Sequence, residues 1–136
     1  MSYVTLLAAD KPLPLYEAPK PRVRWIQSGG HRVSVEEDGF SVQKHEYYRA
    51  AVEDFGLTMK PYQYELDLRA TEDDLNELQT YLQENLAPGE NVELWGLWVG
   101  GEEERLASYR GPLDALNLET LDMLEACRTV CLTIER

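Results

Sequence analysis

Apolar and polar residues alternate strictly from Tyr62 to Arg69, with Tyr62, Tyr64, Leu66 and Leu68 on one face and Gln63, Glu65, Asp67 and Arg69 on the other. A period of two is that of a half-buried strand. The period then changes. Thr71 offers an N-cap, Glu72, Asp73 and Asp74 put acids in a first turn, and Leu75, Leu78, Leu82 and Leu86 recur at helical spacing. Pro88-Gly89 stops that helix. A second strand is predicted over 92–99, Gly100-Gly101 is a turn signal, and a shorter strand follows near Arg105 to Arg110. After Gly111-Pro112, Asn117 can cap a helix carrying Leu118, Leu121, Met123 and Leu124, with Asp114 as an earlier start. The last strand, 128–135, places Val130, Leu132 and Ile134 on one face.

Strand, helix, strand, strand, helix, strand is the succession of the split βαβ unit. It predicts an α+β fold in which residues of about 62–135 form a ferredoxin-like βαββαβ antiparallel sheet. Right-handed crossovers would place the first and third of these strands centrally and both helices, 72–86 and 118–126, on one face. The second strand fits such a sheet poorly. Trp95, Leu97 and Val99 point one way and Leu94 and Trp98 the other, so both of its faces need cover. Residues 1–61 or a second subunit must supply it, and both tryptophans are expected to be substantially buried.

The first half has weaker periodicity. A strand is predicted over 3–8, followed by a proline-rich extended connection over 10–21 that excludes helix or central strand. Residues 22–26 read as a strand and Ser28-Gly29-Gly30 as a turn. Val33 and Val35, Asp38-Gly39, then Phe40 and Val42 carry a hairpin signal. Tyr48, Ala51, Val52 and Phe55 define an amphipathic helix that Gly56 ends. With 136 residues, the chain is expected to be a single domain, 1–136, in which 1–61 is a strand, hairpin and helix elaboration packed on 62–136.

Charge divides these halves. Residues 1–61 hold eight basic and eight acidic side chains; residues 62–136 hold five arginines, no lysine and seventeen acids, so the net −12 falls there. An acidic surface repels phosphates and anionic membranes, which argues against nucleic acid and membrane as partners. No apolar run reaches the roughly 20 residues of a membrane helix. The opening residues lack a basic signal-peptide region, which points to a cytoplasmic protein. Cys127 and Cys131, if on one strand, would lie about 13 Å apart, beyond disulfide reach, and are expected to be reduced core thiols.

Catalytic and cofactor patterns are sparse. Dinucleotide and P-loop glycine fingerprints are missing, and His31 and His45 stand fourteen apart without ligand spacing, so neither a cofactor nor a metal is expected. Ser28-Gly29-Gly30-His31 reads as a turn. The clusters Glu36-Glu37-Asp38, Glu72-Asp73-Asp74 and Glu102-Glu103-Glu104 lack the oxygen spacing of a calcium loop. Glu65 and Asp67 are i, i+2 on a polar strand face; paired carboxylates can do acid–base work, although solvation beside Arg69 is the simpler expectation.

The remaining feature is an acid-free stretch from 18 to 35, where Lys20, Arg22, Arg24, His31 and Arg32 surround Trp25. A basic strand in an acidic protein has two evident uses. It can dock on the acidic half of its own chain, which we favour because it lets a −12 chain stay compact, or bind an anionic ligand with Trp25 as platform. The residues singled out for binding are therefore Arg22, Arg24, Trp25, His31, Glu65 and Asp67. The expected function is a non-enzymatic acidic protein acting through a protein partner or homodimer. A small-molecule sensor with a pocket between the sheet and the N-terminal half is the alternative, and an enzyme comes third.

Overall fold

The computed structural model describes residues 2–99, 106–125 and 129–136. Cys127, the Gly100-Gly101 turn and the Glu102–Glu104 cluster lie outside them. A seven-stranded sheet is built from β1 (Ser2–Ala9), β2 (Tyr16–Glu17), β5 (Ser41–Lys44), β6 (Tyr62–Asp67), β7 (Asn91–Val99), β8 (Ala107–Pro112) and β9 (Val130–Glu135). Its order is β2-β5-β6-β1-β7-β9-β8. A separate two-stranded ribbon pairs β3 (Arg22–Ser28) with β4 (His31–Glu37). The helices are α1 (Arg49–Glu53), α2 (Glu72–Asn85) and α3 (Leu118–Leu124). The fold is mixed α+β, and no helix among the described residues is long and apolar enough to cross a membrane.

The strand order departs from the ferredoxin-like expectation. β1 is antiparallel to both β6 and β7, so those two run parallel with β1 between them, joined by α2. A split βαβ unit is present, but the strand that splits it comes from the N-terminus. β8, expected at the centre, lies at the edge and pairs parallel with β9, with α3 as crossover. Side chains explain the exchange. β1 buries Val4, Leu6 and Ala8 on one face and Leu7 and Ala9 on the other, as only a central strand can. β8 reads ASYRGP, is mostly exposed, and ends in a proline that cannot donate to a ladder.

Both faces of the sheet are covered. On one, α2 and α3 pack Leu78, Leu82, Leu121 and Leu124 against Leu7, Val92, Leu94, Leu132 and Ile134. On the other, Val52 of α1, with Tyr48, Leu57 and Met59, closes over Leu6, Trp95, Leu97 and Cys131. Trp95 is 3% exposed. Covering one indole removes about 200 Å² from water, worth roughly 5 kcal/mol, which is why β7 requires this second layer. Trp98 is half-buried and meets Tyr3 edge to face at 5.5 Å, so only one of the two tryptophans is fully enclosed.

Local signals place the helices well. Thr71 Oγ1 accepts from Asp74 N at 3.2 Å and Asn117 Oδ1 from Thr120 N at 3.0 Å. Asp114 sits in a short 3-10 turn ahead of α3. The hairpin signal at Asp38-Gly39 is corrected: the ribbon turns at Gly29-Gly30, whose φ values of +58° and +80° match the right-handed twist of paired strands. Gly39 is instead where the chain re-enters the main sheet. A Cβ there would stand 2.9 Å from Lys20 O, so the two ends of the ribbon cross too closely for any other residue. The proline-rich connection runs extended, yet it buries Leu13 and places Tyr16 against Phe40 and Tyr81.

Candidate functional site

Arg22 opens β3 at the point where the ribbon meets the body. Its Nη2 donates to Asp74 Oδ2 at 2.7 Å and lies 3.5 Å from Asp67 Oδ1, while Nη1 donates to Asp38 O at 2.9 Å. Asp74, 3% exposed, also accepts from Arg69 N at 2.8 Å. Burial of the guanidinium works against its charge, but the hydrogen bond to Asp74 and the charges of Asp74, Asp67 and Glu37 outweigh it and raise its pKa. Arg22 is thus a half-buried anchor that ties the ribbon to the start of α2.

Beyond the anchor the ribbon is exposed on both faces. Arg24 Nε stands 3.7 Å from Glu37 Oε1 of the neighbouring strand. Trp25 is 57% exposed, and the Arg32 guanidinium lies over its ring at 4.8 Å from the centroid. Register explains that contact: Arg32 pairs with Gln27, two residues along the same face as Trp25. Ile26 and Val33 pair directly on the opposite face, 40% and 43% exposed, and Val23 is 53% exposed. His31 follows the turn, opposite Ser28, in solvent.

The two carboxylates singled out on β6 do not act as a pair. Asp67 faces Arg22, whereas Glu65 Oε2 accepts from Glu46 N at 3.0 Å and lies 3.4 Å from His45 Nδ1. His45 is buried, and its Nε2 has no hydrogen-bond partner among the described residues. It lines a cavity of about 200 Å³ with Arg49, Tyr62 and Tyr64. The sequence shows only that His45 lacks metal-ligand spacing. Lying just past β5, it owes its burial to tertiary contact rather than to strand periodicity.

Of the six residues, the structure brings Arg22 and Asp67 together, places Arg24, Trp25 and His31 on the ribbon, and sets Glu65 apart beside His45. Asp74, the partner that fixes Arg22, shows in the sequence only as a first-turn acid. A groove of about 420 Å³ lies at the ribbon base between Arg22, Arg24, Arg69 and Thr71, with Glu37 and Glu125 in the same walls. Among the described residues, no group of three His, Cys, Asp or Glu side chains could hold a metal ion. No protein-family model, curated protein or solved structure matches the chain.

Proposed function

We propose that this chain is a non-enzymatic interaction protein and that the β3–β4 ribbon is the element it presents to a protein partner or to itself. The observation that carries the reading is the exposure of Val23, Trp25, Ile26 and Val33 on a ribbon with no cover on either face. An isolated two-stranded ribbon is marginal in water, and an exposed tryptophan beside arginine is typical of contact hot spots. Residues 18–35 hold no acid, so charge would steer the turn end of the ribbon toward an acidic surface, while Glu36 and Glu37 close β4 at its base. Affinity capture from the source cell tests this. The full chain should retain a partner, or a second copy, at low salt and lose it as salt rises, and Trp25→Ala with Arg32→Ala should lose it at every salt. Equal capture by the wild type and that double variant would remove the ribbon from the function.

A second reading, sensing of a small anion, draws on the groove beside Arg24 and Arg69. It ranks behind because Glu37 and Glu125 share the walls and oppose an anion. A thermal shift with small carboxylates or phosphates that Arg69→Ala abolishes would favour it.

A further inference from the structure

β5 stops pairing with β6 at Lys44 and Tyr64, whereas β6 runs on to Tyr62 against β1 alone. No strand lies on the β5 side of Gln63 and Tyr62, because the chain turns there toward α1. At this gap is the cavity of about 200 Å³ that His45, Arg49, Pro61 and Tyr62 help to line. A water takes about 30 Å³, so the space holds more than a lone water. His45 is its buried wall, with a side chain 3% exposed. Glu65 Oε2 stands 3.4 Å from Nδ1, and a carboxylate can only accept, so Nδ1 carries the proton. In the neutral ring Nε2 is then a bare acceptor, and it is buried with no partner among the described residues. A buried polar atom left unpaired is costly, and native folds satisfy nearly all of them.

We infer that this cavity binds a small uncharged molecule, a primary amide, whose N–H donates to His45 Nε2. The site is separate from the ribbon and goes beyond its reading as a contact element. The bare ring nitrogen calls for a donor. Arg49 has only donors, so the other end of the ligand has to accept. Charge selects against ions. An ammonium would meet the Arg49 guanidinium. An anion would find that guanidinium already paired with Glu53 at 3.3 Å, with the Glu65 carboxylate behind the imidazole. An amide group carries donor and acceptor on one carbon and no net charge, and Pro61 and Tyr62 offer apolar walls to its substituent. Arg49 and Tyr62 are exposed at the rim. The Arg49–Glu53 pair joins side chains each 68% exposed, so it yields at little cost when a ligand enters.

Propionamide, propionate, propylammonium and butan-2-one are matched in size and separate the donor from charge. Nitrogen NMR of the full chain labelled at histidine reads their binding. The chain has two histidines, and His31, exposed on the ribbon, is the internal control. Propionamide should shift the His45 Nε2 resonance saturably and leave His31 in place. Butan-2-one, which lacks the donor, and both ions should bind at least about tenfold more weakly. His45→Phe should abolish the rise in Tm that propionamide gives the wild type. Arg49→Ala, at an exposed position where the fold tolerates change, should weaken the Nε2 response without moving the resonance of the unliganded chain. A His45 Nε2 that ignores all four compounds leaves a cavity filled by water and overturns the inference. A response to butan-2-one or to propionate equal to that for propionamide overturns it too. So does an unliganded His45 that carries protons on both ring nitrogens at neutral pH.

Discussion

Asp74 is a single buried carboxylate on which the ribbon, the β6–α2 loop and the start of α2 converge. It accepts from Arg22 and from Arg69 N, and its own amide is capped by Thr71. Removing it leaves a largely covered guanidinium with only the more distant Asp67, so Asp74→Ala should cost about 3 kcal/mol. Thr71→Ala, which removes one cap, should cost about 1 kcal/mol. Urea midpoints of the two variants at unchanged slope check the ranking, and equal losses would show that Arg22 finds other partners. Cys131 offers a second test at this scale. Burial, with the Glu93 charge adding to it, pushes its thiol from the ordinary 9.0 up to about 11. A raised folded pKa means the thiol's contribution is intact below about pH 9 and is lost as pH rises toward 11. Cys131→Val should therefore lose less stability than the wild type between pH 9 and 11. Labelling of native Cys131, followed by mass spectrometry, should be slow beside that of the unfolded chain.

Elements differ in how much of them the sequence reveals. α2 was legible because Thr71, three acids and the leucine spacing all agree, and it runs Glu72–Asn85 against a predicted 72–86. Strand order was not, because pairing is decided by competition among strands far apart in the chain. β1 wins the centre through apolar residues on both faces, a signal carried by Val4 and the run Leu6–Ala9 that chain succession alone does not reveal. The ribbon illustrates the reverse difficulty. Two turn signals, Gly29-Gly30 and Asp38-Gly39, were both readable, and only the positive φ of the first pair selects it. Candidate residues followed the same rule: the ribbon's composition marked Arg24, Trp25 and His31, whereas Asp74 and His45 gain their places from tertiary contacts. The two tryptophan environments provide a direct contrast. Trp95→Ala should cost about 3–5 kcal/mol, and Trp25→Ala should stay within about 0.5 kcal/mol of wild type. Denaturant midpoints measure both, and a large loss at Trp25 would mean that the ribbon belongs to the folded core.

For the whole molecule, the N-terminal residues are structural before they are functional. β1 lies between β6 and β7, and the segment around α1 covers Trp95 and Leu97. Deleting 1–61 removes a central strand and one covering layer, so residues 62–136 alone should be insoluble or self-associating. A soluble monomeric fragment with native-like circular dichroism would show that β6 and β7 can close the gap. The charge layout has a similar logic, with acids on the helix layer and a ribbon of mixed charge held at its root by Arg22. The claim at the centre of this account is that the ribbon, rather than the body, makes the contact through which the protein acts. Photo-crosslinking residues placed in turn at positions 25, 33 and 47 of the full chain in its source cell test that most directly, because Tyr47 is exposed but lies on the body. Adducts of one defined mass from positions 25 and 33, with none from 47, are the predicted result. Adducts of equal yield from all three, or from 47 alone, would contradict it.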